Sequence, residues 1–198
     1  MRFNVMDLET TGFSSTNDKI IEVAAVKFEH GKEIARISFL INPEVEISQR
    51  ITEVNNITNA MVKDKPLIQH VMNEVAQFCG DDLVIGHNFI GFDKKFIDFT
   101  TNTHSTDAPT GLVFCSLEMA KQAISKYDIM NYKLGTLLEY FKIPVEKKSL
   151  HRAVADCHYN GLLVYKLLEK LNIKSVEELD KRFKGMKFVQ PAAQKTLF

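Results

Sequence analysis

Cysteine is scarce in this chain, net charge is nil, and no long apolar run occurs. Each shortage excludes something. The three cysteines, Cys79, Cys115 and Cys157, are far apart, odd in number and set among apolar residues. They read as buried thiols in a reducing compartment, not as a disulfide framework or a zinc site. The 25 basic side chains are matched by 25 acidic ones, whereas a protein living on non-specific phosphate binding is usually more basic. Any nucleic-acid contact must therefore come from a local patch, or from bound cations that reverse the sign of an acidic site. No stretch approaches the roughly 18 apolar residues of a membrane span. Met1-Arg2-Phe3-Asn4 leads straight into a strand pattern and not into a signal peptide. The expectation is a cytoplasmic protein with no membrane partner.

What is present is enough for one well-packed domain: 198 residues, 45% of them hydrophobic, which excludes wholesale disorder. Phe3–Leu8 is apolar on both sides, as in a strand covered on two faces. Residues 19–28 and 33–40 predict two more strands, joined as an antiparallel hairpin through His30-Gly31-Lys32. Leu83–Gly86 and Val113-Phe114 predict short buried strands. Helices are expected over 66–78, 92–99, 117–124, 133–141, 150–171 and 175–183. In the longest of these, Val154, Cys157, Gly161, Val164, Leu168 and Leu171 form one buried stripe. A strand hairpin followed by alternating strands and helices predicts an α/β fold, a mixed sheet with helices on both faces. The domain is expected to span residues 1–184, and the aperiodic residues 185–198 read as a tail.

Three acidic segments carry the chemical signal: Asp7-Leu8-Glu9-Thr10-Thr11-Gly12, His87-Asn88 with Phe92-Asp93, and His151 with Asp156. In an extended strand Asp7 and Glu9 project from one face. Two carboxylates aimed the same way repel, and a divalent cation with a preference for oxygen ligands is their natural partner. An isolated Asp-x-Glu is more often a solvated strand end. The small-residue turn Thr10-Thr11-Gly12 adds backbone N–H groups able to hold a terminal hydroxyl of a nucleic acid. Asp93 is expected in the first turn of a helix, where carboxylates also serve the helix dipole. Asn88, Phe89 and Phe92 surround it; Phe89 either stacks on a base, worth about 1–3 kcal/mol, or packs in the core. His151 and Asp156, five residues apart, lie about 140° apart on an ideal helix and cannot share a face. His151 is therefore expected at or before the helix start, with Ser149 as a cap and the imidazole free to act as a general base near pH 7. Lys94, Lys95, Lys121, Lys126, Lys133, Lys147, Lys148 and Arg152 flank the motifs as possible phosphate contacts, although lysines on amphipathic helices usually form only a solvated face.

The three segments resemble those of the DEDDh 3′–5′ exonucleases, the family of the epsilon proofreading subunit of bacterial DNA polymerase III and of RNase T. Asp7-x-Glu9, Asp93 and His151-x4-Asp156 match its motifs in order. The resemblance runs from residue 3 to residue 171 and includes Ile57-Thr58 and Tyr132-Lys133-Leu134-Gly135-Thr136-Leu137. It implies an RNase H-like fold and cleavage of the last phosphodiester, releasing nucleoside monophosphates. By the match, Asp7, Glu9, Asp93 and Asp156 would bind two divalent cations, Mg²⁺ or Mn²⁺, roughly 3.5–4 Å apart. His151 would activate the attacking water, with Glu9 beside it in the catalytic set. Thr10, Thr11, Gly12, Ile57, Asn88, Phe89 and Phe92 would face the substrate. The sister branch with a catalytic Tyr is disfavoured, because Arg152 stands where that Tyr would be. Two departures stand out: the second motif is one residue longer than the commonest family form, and Cys115-Ser116 replaces the frequent Asp-Thr.

The chain ends Gln194-Lys195-Thr196-Leu197-Phe198. This resembles the Gln-x-x-Leu-Phe peptide by which bacterial replication and repair proteins dock on the sliding clamp, with Gln194, Leu197 and Phe198 as the docking side chains. The other reading is a tail that folds back on its own domain. The leading expectation is a 3′–5′ exonuclease acting on DNA with a free 3′ end, single-stranded DNA favoured, with a clamp and a DNA polymerase as candidate partners. The alternatives are an exoribonuclease, a non-catalytic adaptor that keeps the fold, and an RNase H-like endonuclease.

Overall fold

The first strand organises the architecture. The computed structural model describes residues 1–146 and 152–191. In it β1 (Arg2–Thr10) pairs antiparallel with β2 (Ile20–Glu29), and β2 pairs antiparallel with β3 (Lys32–Leu40). On its other edge β1 runs parallel to β4 (Leu83–Gly86), which runs parallel to β5 (Val113–Cys115). Among the described residues the order is β3-β2-β1-β4-β5, so β1 lies at the centre of a five-stranded sheet, whose mixed pairing is as the sequence predicts. The β2–β3 hairpin turns through His30 and Gly31, both at positive φ, the geometry that matches the twist of the flanking strands.

Strand alternation sorts β1 between two cores. Phe3 and Val5 pack with Phe28, Ile85 and the helices α5 (Ser116–Ala123), α6 (Leu134–Tyr140), α7 (Ala153–Leu171) and α8 (Val176–Phe183). Met6 and Leu8 pack on the opposite face with α3 (Met72–Cys79) and α4 (Asp93–His104). A smaller cluster of Ile21, Ile47, Ile57 and Val62 forms around α1 (Gln49–Asn55) and α2 (Asn59–Val62). Helix α7 approaches the sheet closely because Gly161 has no side chain: a Cβ there would lie 2.1 Å from the buried Phe28 ring. The helix that carries Asp156 thus lies directly against β1 and β2.

Several boundaries differ from the sequence expectation, each for a local reason. The single helix expected over 66–78 is a 3₁₀ turn at Ile68–His70 followed by α3. The Pro66 carbonyl accepts the Asn42 backbone N–H at 3.0 Å instead of a helical partner. Helices α1 and α2 went unforeseen because they are short and bury little, Asn55 alone in α1 and Val62 alone in α2. Residues 185–190, read as tail, run against the sheet. Met186 forms an antiparallel bridge with Val113, Phe188 is buried beside Phe89, and the Val189 N–H donates to Asp98 Oδ1 at 3.0 Å. An edge contact of this kind leaves no periodicity to read. Residues 192–198, with Gln194, Leu197 and Phe198, lie outside the described residues, as do Lys147, Lys148, Ser149 and His151. No helix of the described residues is long and apolar enough to cross a membrane.

Candidate active site

Asp7 and Glu9 continue the face of β1 that Phe3 and Val5 begin, so they point toward α7. Asp156 stands in the first turn of α7. One carboxylate oxygen from each of Asp7, Glu9 and Asp156 lies within 4.8 Å of the other two, and all three residues are partly buried. A donor set of carboxylate oxygens alone suits a hard divalent cation.

Asp93 joins them from the other edge of β1. Strand β4 pairs with β1 only from Phe3 to Val5, so the sheet opens beyond that point and the Leu8 N–H has no strand partner on that side. The Asp93 carboxylate takes that N–H at 3.1 Å and is 3% exposed. The site thus occupies a crevice at the carboxyl ends of parallel strands, where open α/β sheets generally bind ligands. A register shift between Glu9 and Thr10, opposite an extra residue in β2, ends regular pairing at the same place.

The electrostatics carry the mark of this crowding. Burial first, then the charges of Asp93, Asp156, Glu9 and Glu22, hold the Asp7 carboxyl well above the usual range. Glu9 is pushed up to about 8, chiefly by burial, although the Asn55 amide opposes the shift by donating to Glu9 Oε2 at 3.3 Å. Asp93 is raised to about 7, again by burial, against the pull of the Leu8 N–H. Divalent cations would relieve a cluster of this kind, because they favour the charged forms that burial and mutual repulsion disfavour.

The remaining site candidates divide. Asn88 is exposed, with φ of 58° at the turn after β4, a conformation that Asn tolerates. Phe92 is half-buried and meets Phe13 edge-on, with ring centroids 6.2 Å apart. Phe89 is fully buried, and a Cβ on Gly86 would collide with its ring. It is a core residue and offers no stacking face. Ile57 is likewise fully buried, in the α1–α2 cluster, and does not face the crevice. The Thr10 hydroxyl donates to the Gly12 carbonyl at 2.6 Å, and the Thr11 N–H, expected to be free for a ligand, bonds the Lys19 carbonyl at 2.9 Å. Of the basic candidates, Lys94 is buried and paired with Asp98, Lys121 pairs with Glu118, and Arg152 pairs with Glu22. Lys95, Lys126 and Lys133 are exposed.

Three residues have roles the sequence does not reveal, Asn55, Asp18 and Phe13, and a fourth, His87, stands in the second acidic segment with no role assigned to it there. Asn55, 1% exposed, orients Glu9 through its amide and accepts the Ile57 N–H through its oxygen. Asp18 organises the turn after β1 by accepting from the Ser14 N–H and the Thr11 hydroxyl. Its carboxylate lies 2.5 Å from where a Gly12 Cβ would be, which requires glycine there. Phe13 is 85% exposed beside the turn, and its place directly after Thr10-Thr11-Gly12 is the signal that could have marked it as a stacking surface. His87 is structural. Its Nε2–H donates to the Tyr132 carbonyl at 2.9 Å, its Nδ1 faces Ser116 Oγ at 3.1 Å, and burial lowers it to about 4.

These shifts set a pH dependence of stability. Unfolded carboxylates titrate near 4, so the folded chain holds more protons between there and about pH 8, and stability falls as pH rises through that window. His87 works in the opposite direction, but only below about pH 6.5, where the unfolded imidazole takes up the proton first. Between about pH 6.5 and 8 the cation-free protein is expected to lose thermal stability with rising pH. Mn²⁺ is expected to raise the melting temperature most at the upper end, and Asp7→Asn to flatten the trend. Differential scanning calorimetry checks this. A cation-free melting temperature that rises over the same interval contradicts the assignment.

The sequence profile of the exonuclease family, which carries the name RNase_T, matches residues 5–164. Among curated proteins, the chain is 36% identical over 181 residues to a PolC-type DNA polymerase III of Caldanaerobacter subterraneus subsp. tengcongensis, covering 90% of this chain and 12% of that protein. It is 34% identical over 172 residues to the DNA polymerase III epsilon subunit of Aquifex aeolicus, covering 87% of this chain and 83% of that one. Among solved structures, exonuclease X in complex with 5′ overhanging duplex DNA superposes with a TM-score of 0.72 at 25% identity, over 90% of this chain and 98% of that one. The fold is RNase H-like, and the chain belongs to the RNase_T exonuclease family.

Proposed function

We propose that this chain is a metal-dependent 3′–5′ exonuclease that removes nucleoside 5′-monophosphates from DNA ends, in replication proofreading or repair. The observation that carries the reading is the convergence of Asp7, Glu9 and Asp156 within 4.8 Å, with Asp93 tied to the same strand. The likeness to an epsilon subunit over most of both chains supports it. Exonucleases of this family generally use divalent metals, and the acidic cluster fits that use. Asp7, Glu9, Asp93 and Asp156 would hold two cations, Mg²⁺ or Mn²⁺. Bound there, they would offset the negative charge that develops on the attacking and leaving oxygens of the scissile phosphate.

The chain's own groups supply the rest. Asn55 holds Glu9 in place, and the Leu8 N–H holds Asp93, so both carboxylates are preorganised before substrate arrives. His151, outside the described residues, is assigned the proton: its neutral imidazole takes it from the attacking water, which makes the rate rise through about pH 6.5. The exposed ring of Phe13 and the half-buried ring of Phe92 flank the turn after β1 and would stack on the terminal bases. The unpaired, buried cysteines of the described residues suit a reducing cytoplasm.

Incubating 5′-labelled single-stranded DNA, matched RNA and circular DNA with Mn²⁺ tests the proposal. The expected outcome is a ladder shortening from the 3′ end of linear DNA, slower or absent on RNA, and none on the circle. Asp7→Asn is expected to reduce the rate on the order of 10²–10³-fold, the scale of losing one electrostatic contact to a transition state. Equal activity of variant and parent overturns the reading, and cleavage of the circle makes the protein an endonuclease. The peptide of residues 190–198 is proposed to dock on a sliding clamp through Gln194, Leu197 and Phe198. Fluorescence anisotropy is expected to register saturable binding to a bacterial clamp that Leu197→Ala with Phe198→Ala abolishes; no binding at high micromolar concentration sinks that docking.

A further inference from the structure

Glu22 is fully buried and lies directly across from Glu9 in the β1–β2 register. Its charge adds to the repulsion on Asp7 and Glu9, and nothing in the metal chemistry uses it. Its partners are specific. Glu22 Oε2 accepts from Arg152 Nε at 3.0 Å and from the Ala153 N–H at 3.1 Å. Its Oε1 accepts from Arg152 Nη2 at 2.8 Å and from Ser38 Oγ at 3.1 Å. Three of these four donors belong to two consecutive residues at the mouth of α7.

Those two residues sit at a junction. Arg152 is the N-cap of α7, and its carbonyl accepts the N–H groups of Ala155 and Asp156 at 2.9 and 3.0 Å. Its own side chain makes no cap bond. The capping acceptor for Ala153 comes from Glu22, on a strand 131 residues away. The residue before Arg152 is His151, and Asp156 lies one helical turn beyond it. A bidentate guanidinium–carboxylate pair fixes orientation as well as distance.

We propose that Glu22 and Arg152 are positioning residues: their ion pair fixes the start of α7 and so how Asp156, in its first turn, is aimed at Asp7 and Glu9. Neither residue touches substrate. The catalytic part of this proposal rests on the exonuclease reading of Asp156; the structural part does not. Loss of the guanidinium leaves a buried carboxylate without its countercharge, and the helix start shifts or frays. Displacement of reacting groups by about 1 Å is enough to slow a reaction on the order of 10²-fold.

The test uses the full chain, with Arg152→Ala, Arg152→Lys and Glu22→Gln. Arg152 is the safer site because its side chain is 36% exposed, whereas Glu22→Gln is held in reserve as the buried counterpart. Hydrogen exchange read by mass spectrometry is expected to show faster exchange at residues 153–156 in Arg152→Ala, with residues 163–171 of α7 unchanged. Under saturating Mn²⁺, single-turnover cleavage of single-stranded DNA is expected to fall about 10–100-fold while DNA affinity stays within about twofold. Arg152→Lys, which keeps charge but cannot span both oxygens, should fall between. The double variant Glu22→Gln, Arg152→Ala should be no slower than the slower single one. Unchanged exchange at 153–156, a rate loss matched by weaker DNA binding, or multiplying effects in the double variant each overturn the proposal. A parent that binds but does not shorten DNA overturns the exonuclease reading instead, and the exchange experiment still decides the role of the ion pair.

Discussion

Like-charge repulsion at the end of β1 is the constraint to which the rest of this structure answers. Asp7, Glu9, Asp93 and Asp156 come from three elements far apart in sequence, and the fold holds them together where burial already disfavours the charged forms of Asp7, Glu9 and Asp93. Such an arrangement works against stability unless something else compensates. A chain that merely had to fold would disperse these groups. This chain concentrates them at the open end of a parallel strand pair, with one face toward solvent.

The compensation is visible in what surrounds them. β1 is covered on both faces by apolar clusters, so the strand carrying two of the carboxylates cannot retreat. The Leu8 N–H, left over where β4 stops, anchors Asp93; the Asn55 amide anchors Glu9. Gly161 lets α7 settle against Phe28, which brings Asp156 into range. Glu22, a fifth buried carboxylate at the same end of the sheet, is matched by Arg152 and the first amide of α7. Each device fixes a position before any ligand arrives, which is the condition for electrostatic preorganisation.

How much of this was legible in the sequence follows from the range of each interaction. Strand alternation and the small turn at His30-Gly31 are local, so the sheet and its hairpin could be read directly. The acidic residues could be read because carboxylates in apolar strands and helix starts are chemically conspicuous. Asn55, Asp18 and Glu22 could not, because their roles are defined by partners 46, 7 and 130 residues away and not by their neighbours. Phe89 and Ile57 were misassigned to the substrate side for a related reason. An apolar residue beside a motif reads the same whether it faces inward or outward, and only packing decides. Residues 185–190 carry no period because they serve as an edge, held by Met186 and Phe188.

This acidic cluster is a cation site in which burial and mutual charge hold the carboxyls of Asp7, Glu9 and Asp93 above their usual range until a cation arrives. Titration calorimetry with Mn²⁺ near pH 7.5, repeated in two buffers of different ionisation heat, tests it most directly. Saturable binding with net proton release, seen as a buffer-dependent heat, is expected, with the loss of both binding and release in Asp7→Asn. Binding with no proton release, or the same binding and release in the variant, would contradict it.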